Sequence, residues 1–256
     1  MTSHKLDRDG VSIHYEIHGE ATDRLPVLLT HGYSASTAMW APNLVELSAD
    51  RQVVAWDMRG HGQTDSPDDQ AQYSEQLTVE DMAALLDQCG VERAVIGGLS
   101  LGGYMSLAFH ATHPERVAAL LLFDTGPGYK NDGARDRWNA QAESRAQALE
   151  QRGSEALSKS PEVAAAQHSP LGLAKAARGM LAQRDARVIT SLPSVRVPTL
   201  VVVGDRDEPY FAGTDYMAAK IDGAVKVVIP DAGHASNIDQ PDLFNRAVRD
   251  FLAEAG

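Results

Sequence analysis

One ten-residue stretch restricts the fold more than any other: Val95-Ile96-Gly97-Gly98-Leu99-Ser100-Leu101-Gly102-Gly103-Tyr104. It sets Gly98-x-Ser100-x-Gly102 between a β-branched run and a helix-like run. A serine at the tip of a tight strand-to-helix turn projects its oxygen into a cleft. Residues without bulk two places before and after it let strand and helix approach each other. The next amide, that of Leu101, then points at any oxyanion formed on a carbonyl bonded to Ser100. A glycine-rich turn of this kind can also cradle phosphate. The stretch lacks the Gly-Lys-Ser/Thr ending of a P-loop, however, and it is not Gly-x-Gly-x-x-Gly.

Around this turn, short strand-like runs alternate with longer helical patterns, which predicts a mostly parallel sheet flanked by helices. Val11 to Ile17 alternates like an edge strand, and Pro26 to Thr30, Gln52 to Trp56, Arg93 to Gly97 and Val117 to Phe123 read as buried strands. Helices are expected over Met39 to Leu47, Val79 to Cys89 and Leu101 to His113. After Asp124 the pattern changes: strand-like runs nearly vanish, and Leu173, Ala177 and Leu181 fall at helical spacing. Alternation resumes over Val197 to Val203, followed by a helix from Phe211 to Lys220, a strand from Val225 to Ile229 and a closing helix from Pro241 to Ala255. The 256 residues therefore divide into an α/β core, 1–128 and 193–256, and a small helical cap insertion, 129–192.

Two further segments carry a resemblance. Thr30-His31-Gly32-Tyr33 follows a buried strand, and Asp57-Met58-Arg59-Gly60-His61-Gly62 with Thr64 forms a glycine-bent loop. Together with the Ser100 turn they resemble the α/β-hydrolase fold family over almost the whole chain, its serine-nucleophile esterase and enol-lactonase branch in particular. The resemblance implies that Tyr33 donates the second backbone amide of an oxyanion hole beside Leu101. Asp57, Arg59 and His61 are expected to be structural.

A serine is a weak nucleophile without an adjacent base held in one tautomer by a third group. In this fold the order along the chain is serine, then acid, then histidine. Of nine histidines, His4, His14 and His18 lie before or in the first strands, and His31 and His61 in turns. His110 and His113 lie in the helix after Ser100, and His168 in the insertion. His234 stands in Asp231-Ala232-Gly233-His234 just after the last strand, where sites form in open α/β sheets, and is the expected base. For the acid, the Gly204-Asp205-Arg206-Asp207 turn selects Asp207 by resemblance, with Asp205 and Asp124 as competitors.

The net charge of −12 makes nucleic acid a poor partner and argues weakly against anionic membranes. No apolar run reaches the length of a membrane span, and residues 1–7 carry no apolar leader core, so a cytoplasmic protein is expected. The one cysteine, Cys89, excludes an intrachain disulfide and reads as a small buried side chain. His31, His61 and Asp57 could be imagined as metal ligands, but no paired-histidine spacing supports a site, and neither metal nor cofactor is expected.

The expected activity is hydrolysis of carboxylic esters or small lactones through an acyl-enzyme. The same fold also serves perhydrolases of the cofactor-free haloperoxidase type, carbon–carbon bond hydrolases and non-catalytic small-molecule binders. The cap, polar and rich in alanine, suits a small or medium acyl group, and Arg135 or Arg137 could favour an anion locally. Oligomeric state is not legible.

Overall fold

In the computed structural model, which describes residues 1–167 and 169–255, the apolar runs become strands of a single sheet. The strands are β1 (Thr2–Arg8), β2 (Val11–His18), β3 (Val27–Thr30), β4 (Val53–Trp56), β5 (Ala94–Leu99), β6 (Val117–Phe123), β7 (Thr199–Gly204) and β8 (Val225–Ile229). The helices are α1 (Ala41–Leu47), α2 (Glu75–Gln88), α3 (Leu101–Thr112), α4 (Asp132–Arg152), α5 (Pro161–Ala164), α6 (Pro170–Ala176), α7 (Arg187–Ser191), α8 (Glu208–Lys220), α9 (Ser236–Asp239) and α10 (Pro241–Ala255). The spatial order is β1-β2-β4-β3-β5-β6-β7-β8, antiparallel at β1/β2 and β2/β4 and parallel from β4 onward. This is the α/β-hydrolase fold expected from the sequence.

The sheet is buried on both faces because helices cover both. Alternate residues of one strand feed opposite cores. Ile96, Leu120 and Leu122 pack with Met82 and Leu85 of α2 and with Tyr104 and Leu107 of α3. Val95, Leu121 and Phe123 pack with Leu44 of α1 and with Phe244, Val248 and Phe251 of α10. Each fully buried Leu or Phe contributes roughly 1.5–3 kcal/mol, so neither layer is dispensable.

Three sequence expectations need correction. Val11 to Ile17 is not the edge strand: β1, which the sequence reading missed, lies outside it. Its residues are polar and mostly exposed, so no hydrophobic period marks it; the backbone ladder to β2 and the packing of Leu6 hold it. Helix α2 begins four residues earlier than Val79, at Glu75, because the Ser74 side chain caps Leu77 N. Cys89 is half-buried rather than buried, since it caps the C-terminal end of α2.

Between β6 and β7 the chain runs through α4 to α7, with a π-helical turn over Ala177–Leu181. Alanines make close helix packing possible here. Ala146 and Leu149 of α4 meet Leu173 and Ala174 of α6 in a small cluster of their own. Trp138 Nε1 donates to Leu181 O at 2.8 Å, and Asn139 exchanges two hydrogen bonds with the Gln183 backbone, which fastens α4 to the returning segment. No helix among the described residues is long and apolar enough to cross a membrane.

Candidate active site

Strand β5 and helix α3 meet at Ser100, whose backbone is forced to φ 55° and ψ −114°. A non-glycine residue there is strained, and the surrounding packing holds it in place. A Cβ at Gly98 would lie 2.6 Å from Thr30 O, and one at Gly102 would lie 2.1 Å from the same atom. Both positions must therefore be glycine for α3 to come so close to the end of β3. Ser100 N donates to Phe123 O at 2.9 Å, and the Thr125 hydroxyl donates to Ser100 O at 2.6 Å, which ties the turn to β6 and the segment after it.

His234 follows β8, and its Nδ1 lies 2.8 Å from Asp207 Oδ2, on the turn after β7. Burial lowers the imidazole pKa, but the hydrogen bond and charge of Asp207, helped by Asp124 and Glu162, outweigh it, so His234 titrates above its ordinary value. The ring of Tyr210 stacks on His234 at 4.5 Å between centroids and 28° between planes. Tyr210 and Ser100 line the same cavity. Among the described residues the His234 ring is thus held by Asp207 and faced by Tyr210. Hydrogen bonds between nucleophile and base are often loose until substrate is bound. Tyr210 was missed in the sequence because an aromatic near the start of a helix has no distinctive spacing.

The competing acids have other partners. Asp124 Oδ1 accepts from Gly204 N at 2.8 Å, and its Oδ2 accepts from the hydroxyl and amide of Ser236. Burial pushes its carboxyl up to about 7 against those bonds. Asp205 accepts from Ala232 N at 3.2 Å.

The loop carrying Tyr33 sits against the turn: a Cβ at Gly32 would lie 3.5 Å from Ser100 Cβ. Leu101 opens α3, where a helix leaves its first amides without intrahelical partners. The Tyr33 hydroxyl donates to Leu173 O at 2.8 Å, tying this loop to α6.

Asp57 accepts from Thr37 N, Gln63 N and His14 Nδ1, and Arg59 forks onto Asp81, so both brace loops rather than face the cavity. His31 uses both ring nitrogens, Nδ1 on Gly32 O and Nε2 on Met58 N, which leaves none for a metal. Among the described residues no group of three or more His, Cys, Asp or Glu is placed to hold a metal ion. His168 lies outside the described residues.

Ser100, Asp207, Tyr210 and His234 line one cavity of about 1050 Å³ together with Tyr33, Leu101 and residues of α4. Of the arginines suggested by the sequence, Arg135 pairs with Asp132 and Tyr129 O, and neither it nor Arg137 lines this cavity; Arg145 and Arg152 do.

The chain resembles known hydrolases from end to end. It is 28% identical over 269 residues to 3-oxoadipate enol-lactonase 1 of Acinetobacter baylyi, covering 96% of this chain and 95% of that one. A thermophilic esterase from Thermogutta terrifontis superposes with a TM-score of 0.85 at 28% identity, covering 100% of this chain and 99% of the other. The enol-lactonase from Burkholderia xenovorans LB400 gives a TM-score of 0.79 at 26% identity, with coverage of 97% and 99%. With residues 27–247 matching the model of that family, this chain belongs to the alpha/beta hydrolase family, and at that level it is a hydrolase.

Proposed function

We propose that the protein hydrolyses carboxylic esters or small lactones by acyl transfer to water, with Ser100 as nucleophile, His234 as general base and Asp207 orienting the base. The 2.8 Å contact between His234 and Asp207, in the cavity onto which the strained Ser100 opens, carries this reading. With Nδ1–H held by Asp207, Nε2 is left as the basic nitrogen to accept the Ser100 proton. The amides of Tyr33 and Leu101 receive the developing oxyanion. The imidazolium then protonates the leaving alcohol, and water, deprotonated by the same ring, resolves the acyl-enzyme. Residues 129–192 act as a cap over the core, closing the cavity from the α4 side. The enol-lactonase and esterase relatives support the substrate class.

A serine-directed fluorophosphonate is expected to label the wild type at Ser100. Ser100→Ala should keep its fold and lose several orders of magnitude in kcat. Labelling that persists in Ser100→Ala would overturn the assignment.

A further inference from the structure

The charged side chains lining the cavity are Arg145, Arg152, Glu162, Asp207 and His234. The acids are already committed, Asp207 to His234 and Glu162 to the Ser160 hydroxyl. The arginines are not: among the described residues neither has a carboxylate partner, although the chain holds 35 Asp and Glu against 23 Lys and Arg. On the same helix, Glu143 and Glu150 are both taken by Arg178, and Asp132 by Arg135.

Helix α4 turns one stripe to the cavity. Gln141, Ser144, Arg145, Ala148, Leu149 and Arg152 follow at spacings of three and four, the period that keeps side chains on one face. Arg145 is exposed at that wall, and Tyr33 packs against the cluster that holds its neighbours Ala146 and Leu149. Tyr33 belongs to the loop against the Ser100 turn, and Tyr210, stacked on His234, lines the same cavity. Arg145 therefore lies on the wall of the Ser100 cavity, beside the part of α4 that packs on the loop flanking the Ser100 turn. Arg152 is two turns further along, about 10 Å away at 1.5 Å per residue, and adds positive field without sharing the same group.

We propose that Arg145 anchors a free carboxylate on the acyl part of the substrate, so that the enzyme prefers esters or lactones of short acids bearing a second carboxyl group. This rests on the hydrolytic reading above. A guanidinium is always charged, and its planar fork matches the two oxygens of a carboxylate. It also reverses locally the repulsion that a net charge of −12 exerts on anions. Among the described residues the cavity wall contains no lysine, and a dianionic phosphate would leave charge unmatched at a single fork.

The test compares monoethyl glutarate with ethyl pentanoate, which have acyl chains of equal length and differ in the terminal carboxylate. Ester cleavage is followed by ethanol release, and binding to Ser100→Ala by calorimetry. The wild type should favour the glutarate ester in kcat/KM by about tenfold to a hundredfold, the worth of one charge-assisted bond. That ratio should collapse in Arg145→Gln and persist in Arg137→Gln, which removes the same charge from a position off the cavity. Binding of monoethyl glutarate to Ser100→Ala should weaken at least tenfold when Arg145→Gln is added. Cleavage of ethyl pentanoate with no preference for the glutarate ester, or a ratio unmoved by Arg145→Gln, would overturn the anchor and leave the hydrolytic reading standing. Arg145-dependent binding without cleavage of either ester would keep the anchor and sink the hydrolytic reading. Failure of Ser100→Ala to bind monoethyl glutarate also overturns the anchor.

Discussion

At His234 two opposed effects meet. Burial disfavours the imidazolium, and the Asp207 carboxylate 2.8 Å from Nδ1 favours it more. A general base must be neutral to act, so the rate should fall as pH drops through a value above the ordinary 6.5 of a histidine. Asp207→Asn removes both the charge and the tautomer control. It should lower kcat by roughly 10⁴ and move the acid limb of kcat/KM to lower pH. Asp124→Asn should stay within about tenfold of wild type, because that carboxyl, already pushed up to about 7, holds Gly204 and Ser236 rather than the base. Paired rate–pH profiles check this, and a crippled Asp124→Asn beside a mild Asp207→Asn would exchange their roles. Tyr210 shows what the residue scale hides in sequence. Its ring on His234 follows from where α8 begins, which no local pattern announces.

At the scale of elements, the close approach of α3 to β3 is the decisive packing event. It requires the chain at Gly98 and Gly102 to have no side chain, because the opposing atoms are backbone oxygens that cannot rotate aside. Gly102→Ala should therefore destabilise by about 3 kcal/mol, the upper range for overpacking. Gly223→Ala makes a useful contrast: φ is 72° but nothing lies within 4 Å of the added methyl, so only backbone strain of about 1 kcal/mol is expected. Urea titration of the two variants gives the comparison, and equal losses would show that the contact at Thr30 O relaxes. Strand β1 and helix α4 belong to the same scale. The first is invisible to hydrophobic period because it is a polar edge, and the second was covered only by the general reading of a helical insertion, whose one periodic signal, Leu173, Ala177 and Leu181, lies outside it.

At the scale of the molecule, the proposed cap is what would set access to Ser100. Its large exposed apolar residues are Leu171 at 58% and Tyr129 at 37%, too few and too scattered to seat on an oil–water interface. The cavity of about 1050 Å³ is roomier than a polar, alanine-rich insertion suggests, so medium acyl chains fit as well as short ones. Rates on p-nitrophenyl esters are expected to peak at short to medium acyl lengths. Emulsified triglyceride should give no jump in rate as the interface forms. A steady rise to long chains with interfacial activation would mean that the cap opens as a lipase lid.

The sheet, its flanking helices, the elbow at Ser100 and the candidacies of Asp207 and His234 were legible in the sequence. They depend on local constraints: period two against period 3.6, glycines at fixed offsets, and the order of residues along the chain. What brought Asp207 rather than Asp205 or Asp124 to His234, laid Tyr210 on the imidazole and left Arg145 on the cavity wall with no carboxylate partner among the described residues was tertiary structure. Each of those contacts joins residues from different elements, or from either side of a helix start, and depends on how β7, β8, α4 and α8 pack around the end of the sheet. No window of sequence contains that distance, so only the folded chain could set it.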